Sequence, residues 1–158
     1  MIRIEDASGD PRFSEALEGS LLDSLKAAAP QGVNSRVQLA VRGDDGVLLA
    51  GLEGATSYGW LKVELLWVTP GLRRSGIGRS LLDRAFDLAG DRGCHACWLD
   101  TSNRESLVFY RRLGFESFGT LMNRIDQTPA DHTRWFLRRA LAEPLQEGPR
   151  HGEGMMEI

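Results

Sequence analysis

The sequence has few lysines, only two cysteines and no long apolar run, and the last two features exclude whole classes of protein. Only Lys26 and Lys62 are lysines among the 19 basic residues, so arginine carries most of the positive charge. Two cysteines cannot build a disulfide framework, and we expect a reducing, cytoplasmic location. No apolar run approaches the roughly 18 residues of a membrane-spanning helix, so we expect no membrane partner. The alternating, acidic start of the chain is also unlike a signal peptide.

Charge is unevenly distributed along the chain. The net charge of −3 argues against a strongly basic protein that binds nucleic acid. Residues 1–64 carry −4, residues 65–140 carry +4 and residues 141–158 carry −3. The central part is therefore an arginine-rich block in an acidic protein, which reflects either codon bias or a negatively charged ligand.

The length suits one domain with one core, because a chain of about 150 residues buries roughly 70% of its unfolded surface. We predict a single domain over residues 1–141 and a flexible tail over residues 142–158, where glycine and proline are frequent. Hydrophobic periodicity and turn residues predict the order β-α-β-β-β-α-β-α-β-β. A central strand–helix–strand unit requires a parallel pair, whereas hairpins are antiparallel. The predicted fold class is therefore α/β, a mixed central sheet with helices on both faces.

The predicted helices occupy residues 11–29, 77–89 and 102–113, and the predicted strands occupy residues 2–4, 37–41, 47–55, 60–68, 94–101, 115–121 and 133–137. Asp10 is the expected N-cap of the first helix, and Ser102 begins a capping box at the third. Regular alternation along the strand at 60–68 predicts that Glu64, Leu66 and Val68 share one face.

The most informative segment is the loop at residues 68–78, between a strand and a helix. It reads Val-Thr-Pro-Gly-Leu-Arg-Arg-Ser-Gly-Ile-Gly. A nucleotide P-loop requires lysine where Ile77 stands, and a dinucleotide fingerprint requires glycine where Leu81 stands. The remaining pattern, two arginines and two glycines at a helix N-terminus, is typical of an anion site suited to pyrophosphate. The alternative is an ordinary glycine-rich loop with solvated arginines.

This loop and a second block resemble the GNAT family of N-acetyltransferases. The pattern Val-x-Pro-x-x-Arg-Arg-x-Gly-x-Gly of residues 68–78 is similar to the family's signature. A second block, from Asn103 through Phe109 and Tyr110 to Phe115, is similar to another conserved segment of the family. The resemblance, which extends to a bacterial subgroup with small acceptors, implies a GNAT-like fold. It also implies an enzyme that transfers the acetyl group of acetyl-CoA to a primary amine, in a ternary complex.

The resemblance also assigns binding residues by position. The backbone of Leu66, Trp67 and Val68 would bind the pantetheine arm and the thioester carbonyl, and Asn103 would hydrogen-bond the pantetheine. The pyrophosphate would be held by six loop residues, Arg73, Arg74, Ser75, Gly76, Ile77 and Gly78. The alternative for Asn103 is a polar residue that simply begins a helix.

Tyr110 would face the leaving sulfur. In that position it would act as a general acid or as a hydrogen-bond donor to the developing thiolate. The alternative is a core aromatic residue beside Phe109.

Amine attack requires a neutral nucleophile, so we expect a base within reach of the acceptor. Glu64 is the first choice, because an acid in the centre of a half-buried strand is unusual. The alternative is an ion pair with Lys62. His132 is the second candidate base and His95 a weaker one, since a single histidine in a strand is more often structural.

Cys94 and Cys97 are not expected to bind metal or exchange disulfides. They enter a strand, where residues three apart point to opposite faces, and the chain has no second ligand pair for zinc. We therefore expect acetyl-CoA as co-substrate and no metal.

The expected acceptor is a small amine that approaches over the acidic N-terminal half, which favours a cationic molecule. One alternative is acetylation of a protein N-terminus or lysine, and another is a catalytically silent sensor of acyl-CoA. Exposed sheet edges are compatible with a homodimer.

Overall fold

A computed structural model of the chain describes residues 2–142. Its helices and strands, in chain order, are α1 (Phe13–Ala28), β1 (Ser35–Arg42), β2 (Leu48–Ser57), β3 (Trp60–Val68), α2 (Ile77–Asp91), β4 (Ala96–Thr101), α3 (Arg104–Arg112), β5 (Glu116–Met122) and β6 (Thr133–Ala140). The chain divides into two compact units, Met1–Gln31 and Gly32–Ile158. The single domain expected over residues 1–141 stays a prediction. The tail expected over residues 142–158 lies, except for Ala142, outside the described residues.

The first unit consists of α1 and the segment before it. Asp10 Oδ1 accepts a hydrogen bond from the Arg12 backbone N–H at 2.9 Å, so its side chain stabilises the turn before the helix. The N-cap position itself belongs to Arg12, and the prediction of Asp10 there is wrong by two residues. The strand predicted at residues 2–4 is also wrong. Ile2 and Ile4 are fully exposed, and so short an alternating segment forms no strand without a neighbouring ladder.

The second unit contains a six-stranded sheet in the order β1-β2-β3-β4-β6-β5. β3 and β4 are parallel, and the other neighbouring pairs are antiparallel. This confirms the predicted α/β class with a mixed sheet. α2 and α3 contribute to a core with the buried strand residues, because the apolar stripe of each helix is placed at helical spacing. The core includes Leu61, Leu82, Phe86, Leu99, Leu107, Phe115 and Leu137.

β3 contains a β-bulge that the sequence did not reveal. Val63 lies opposite Gly54 of β2, and Leu65 lies opposite the residue before it, so Glu64 has no partner on β2 in the described sheet. Such an extra residue shifts the side-chain alternation by one position. The bulge therefore divides β3 into two segments of opposite phase.

The side chains of β3 follow this change of phase. Val63 is buried before the bulge, whereas Leu66 and Val68 pack against the core after it. Trp67 is 46% exposed on the other face. The prediction that Glu64 shares a face with Leu66 and Val68 is wrong, because the one-residue slip moves it to the opposite side of the sheet.

β3 and β4 pair over a short distance only. Their parallel register runs from Trp60 opposite Ala96 to Lys62 opposite Trp98, and no later pair joins the two strands within the described residues. Each strand nevertheless continues, paired with its other neighbour. We call this gap, between residues 63–68 of β3 and 99–101 of β4, the strand opening. Its facing edges carry backbone groups that no strand satisfies, and buried backbone groups of this kind require partners.

Candidate active site

The loop that leads from β3 into α2 is held in place by its own side chains. Pro70–Leu72 form a single 3-10 turn. The Arg73 Nε–H donates to the carbonyl of Val68 at 3.1 Å, and the Ser75 hydroxyl donates to the carbonyl of Leu72. The loop is therefore fixed against the end of β3, where the strand opening lies.

Gly76 gives this loop its sharp entry into α2. Its φ is +87°, a left-handed conformation that favours glycine. A Cβ added there would meet no heavy atom within 4 Å among the described residues, so conformation rather than crowding requires glycine. The Gly76 carbonyl accepts from Ser80 N–H at 2.9 Å, which makes it the N-cap of α2. The first N–H groups of α2 have no acceptor within the helix, and together with the helix dipole they could hold an anion such as the pyrophosphate expected from the sequence.

α3 approaches the start of α2 at Gly78. A Cβ added to Gly78 would lie 3.4 Å from Cζ of Phe109 and 3.8 Å from Cγ2 of Val68. Alanine would therefore make ordinary van der Waals contact at this position. The contact brings α3, which also carries Tyr110, beside the glycine-rich loop.

Tyr110 is a buried residue of α3 with 8% of its surface exposed. Its ring makes edge contacts with Phe109 and Phe115, at centroid distances of 5.2 and 5.6 Å. Burial raises the pKa of the Tyr110 phenol to about 12, with a smaller contribution from Cys97. The hydroxyl therefore stays protonated at neutral pH and can serve as a hydrogen-bond donor.

Asn103 is the N-cap of α3. Its Oδ1 accepts from the Ser106 N–H at 3.0 Å, and its own N–H donates to Thr101 Oγ1 at 3.1 Å. The prediction of Ser102 as the cap is wrong, because the Ser102 hydroxyl is hydrogen-bonded to His132 Nε2 at 3.1 Å. The cap uses only Oδ1, so the side-chain Nδ2 donors remain available to a ligand.

Glu64 lies at the bulge, two residues beyond the last β3–β4 pair. Its Oε2 is 3.0 Å from Arg36 Nη1 and its Oε1 is 3.5 Å from Lys62 Nζ. The side chain is 34% exposed, so the carboxylate is partly solvated and paired with two cations. The Lys62 ammonium also lies 5.2 Å from the centre of the Trp98 ring. The ion pair considered as an alternative is therefore present, and the role of Glu64 as a base stays a prediction.

The two candidate histidines lie at opposite ends of β4. His132 is half-buried and contacts Ser102, the residue that follows β4. His95 immediately precedes β4 and packs against the Trp60 ring, with centroids 5.2 Å apart. Its backbone N–H donates to Gly59 at 2.8 Å, which ties it to the β2–β3 turn. Of the two, His132 lies at the end of β4 that borders the strand opening.

Burial raises the pKa of both cysteine thiols, and Cys97 is fully buried. Within residues 2–142 no cluster of three or more histidine, cysteine or acidic side chains could hold a metal ion. No helix in the same residues combines the length and apolar character needed to cross a bilayer.

Sequence reasoning missed Arg36, which lies 28 residues before Glu64 in the chain and 3.0 Å from it in space. The one available signal was its alternation with the buried Val37 on β1, which predicts an outward-facing side chain. It also missed the approach of Phe109 to Gly78, for which the sequence offers no signal.

The chain matches the family model described as Acetyltransferase (GNAT) family over residues 10–115. The chain therefore belongs to the GNAT family of acetyltransferases. It is 40% identical over 112 residues to "Acetyltransferase Atu2258" of Agrobacterium fabrum, which covers 71% of this chain and 82% of that protein. It is 38% identical over 74 residues to Blasticidin-S acetyltransferase of Streptomyces morookaense, covering 46% of this chain and 54% of that protein.

The fold is also similar to the crystal structure of a protein from Agrobacterium tumefaciens described as an acetyltransferase. The TM-score is 0.76 at 28% identity, and the match covers 89% of this chain and 99% of that one. These likenesses confirm the family, the fold and the enzyme class predicted above. The protein is an N-acetyltransferase that depends on acyl-CoA.

Proposed function

We propose that the protein transfers the acetyl group of acetyl-CoA to the primary amine of a small cationic molecule, by direct attack within a ternary complex. The observation that carries the proposal is the strand opening, which leads from the glycine-rich loop toward Glu64. Acetyl-CoA would supply the acetyl group as an activated thioester. The reaction forms an amide bond and releases the thiol of CoA.

The chain offers two kinds of groups to the co-substrate. The backbone of Leu66, Trp67 and Val68 belongs to the open segment of β3, where β4 no longer pairs, and would bind the amide groups of the pantetheine arm. The Nδ2 donors of Asn103 would bind the same arm. The loop at residues 73–78 would hold the pyrophosphate on backbone N–H groups and two exposed arginines.

Tyr110 would stabilise the developing thiolate with a hydrogen bond. The pKa of Tyr110 is about 12, whereas a thiol has a pKa near 8.5. Complete proton transfer from the phenol to the thiolate is therefore unfavourable by about 3.5 pKa units. A hydrogen bond from a phenol that keeps its proton avoids this cost and still stabilises negative charge on sulfur. The buried, protonated state of Tyr110 therefore favours donation over general-acid catalysis.

Glu64 would accept the proton of the acceptor ammonium, directly or through water. Arg36 and Lys62 hold its carboxylate at the start of the strand opening, and its partial exposure leaves room for an acceptor. His132 is the second candidate base, because it contacts Ser102 at the carboxyl end of β4. A comparison of kcat between the variants Glu64→Gln and His132→Gln decides which of these two residues acts as the base.

A small-molecule acceptor is supported by the relative whose name gives blasticidin S as its substrate. The acidic N-terminal half favours a cationic molecule. We also propose a cytoplasmic location and a homodimer. β5 is an edge strand with exposed Leu121 and Met122, and an apolar edge of this kind favours pairing with a second copy.

The test is a panel of acceptors scored by thiol release from acetyl-CoA, with acetyl-CoA binding measured by calorimetry. We expect binding, and thiol release that depends on small cationic amines. Release with peptides alone would favour a protein acetyltransferase. Binding without release for any acceptor would favour an acyl-CoA sensor and overturn the proposal.

A further inference from the structure

An aromatic groove of about 500 Å³ lies beside the strand opening. It is lined by Trp60, Trp98, Phe118, Phe136 and Arg138, from four neighbouring strands. On β3, β4 and β6 the residues next to these in sequence include Leu61, Leu99 and Leu137, which are fully buried in the core. Because side chains alternate along a strand, the aromatic groove opens on the face of the sheet opposite that core.

The aromatic groove borders the point where β3 and β4 separate. Trp98 belongs to the last pair of the parallel register, opposite Lys62. The Lys62 ammonium lies over the Trp98 ring at 5.2 Å and contacts Glu64 at 3.5 Å. The Lys62 ammonium therefore contacts both one wall of the groove, the Trp98 ring, and the carboxylate proposed to accept the proton.

The chemistry of the groove indicates what it would bind. Its volume lies within the range of small-molecule sites. Four aromatic side chains provide faces and edges for a flat ring. The cations on its rim are already paired, Lys62 with Glu64 and Arg138 with Glu116 at 3.0 Å, so the interior offers apolar surface rather than charge. An acceptor with several charges would leave this surface unused.

We infer that the acceptor is an arylalkyl amine, whose flat ring lies in the aromatic groove and whose single amine reaches toward Glu64. This inference rests on the proposed function, and it narrows the acceptor from any cationic amine to one with an aromatic body. The ring would position the amine at the strand opening, so removal of a groove ring should raise KM for aromatic acceptors more than for aliphatic ones.

The experiment compares tryptamine with butylamine, which has the same primary amine but no ring. Turnover is measured by thiol release with acetyl-CoA, and binding is measured by calorimetry on the protein saturated with CoA. For the natural sequence we expect tryptamine to be preferred about tenfold or more in both measurements, the upper range for ring–ring contacts. Equal use of the two amines would overturn the inference while leaving the proposed function intact.

Two pairs of variants separate ring chemistry from general packing. Trp98→Leu and Phe118→Leu remove a ring and should abolish most of the preference, whereas Trp98→Phe and Phe118→Tyr keep a ring and should retain it. Loss of the preference in both pairs would indicate misfolding of the groove and would count against the inference. Preferential binding of tryptamine without any turnover would support the groove and overturn the proposed function.

Light scattering of the same variants tests the competing occupant, a second copy of the chain. If Trp98→Leu changes the molar mass in solution and leaves the tryptamine preference unchanged, the groove is an interface between copies and the inference is wrong.

Discussion

The two segments of β3 have similar apolar sequences and opposite surroundings. The side chains of residues 60–63 alternate regularly between the two faces of the sheet. Residues 60–62 pair with β2 on one side and β4 on the other, whereas Val63, at the boundary, pairs with β2 only. Residues 65–68 follow the bulge at Glu64 and pair with β2 alone. Hydrophobicity therefore does not decide which backbone groups of β3 a ligand can reach. The end of the β3–β4 pairing and the extra residue at Glu64 decide it.

The largest effect is expected in the paired segment. A Cβ added at Gly54 of β2 would overlap the backbone carbonyl of Lys62, and backbone cannot move aside as a flexible side chain can. We expect Gly54→Ala to lower the free energy of unfolding by about 3 kcal/mol, measured by urea denaturation. Gly119→Ala is the matched control, because its Cβ would meet no atom within 4 Å among the described residues. Equal midpoints for the two variants would contradict this account of the paired segment.

Next in size is the effect of removing the phenol beside the open segment. Tyr110→Phe keeps the ring contacts and deletes the donor, so kcat should fall about 100-fold, as for other lost transition-state donors, with little change in acetyl-CoA affinity. Because the Tyr110 pKa is raised to about 12, its ionisation should cause no loss of rate between neutral pH and about pH 10. An unchanged kcat would exclude Tyr110 from the reaction.

Glu64→Gln tests whether the residue at the bulge acts as a general base. Loss of a general base should lower kcat about 100-fold, the lower end for such catalysis. Stability should change by less than about 1 kcal/mol, because exposed ion pairs contribute little. His132→Gln is the comparison, and a larger loss of kcat in that variant would transfer the role to His132.

The smallest of the four effects concerns the loop at the far end of the open segment. Gly76→Ala places a Cβ on a residue with φ of +87°, which costs about 1–2 kcal/mol. We expect acetyl-CoA affinity to fall about tenfold by calorimetry, as the loop relaxes away from this conformation. Gly71→Ala, in the same loop without a positive φ, should bind like the natural sequence. Equal affinity in both variants would refute the pyrophosphate assignment.

Local features of the fold could be predicted from the sequence. β3 and α2 have nearly the predicted bounds because each carries its own periodicity, and the glycines at residues 76 and 78 mark a loop whose conformation depends on nearby residues. β6 extends to Ala140 rather than ending at residue 137, because its pairing with β4 continues there. The buried Arg139 interrupts the apolar pattern and hides that continuation from sequence reasoning.

Features that depend on pairing between distant residues could not be predicted. The bulge at Glu64 exists only in the register with β2, so regular alternation assigned the wrong face to its side chain. The early end of the β3–β4 pairing is likewise invisible in either strand alone. At the start of α3, Ser102 and Asn103 are equally good caps by composition, but Asn103 caps the helix while Ser102 hydrogen-bonds to the distant His132.

The bonds that Arg73 and Ser75 make within the glycine-rich loop have a consequence for conformational entropy. The loop is ordered by contacts with Val68 and Leu72, so its freedom is lost on folding rather than on binding. A ligand that meets a preorganised loop retains more of its interaction free energy as affinity. If the protein binds acetyl-CoA as proposed, binding to the folded state alone would stabilise the fold by about 2.7 kcal/mol at a concentration 100 times its Kd. The thermal stability of this enzyme should therefore rise with the concentration of acetyl-CoA.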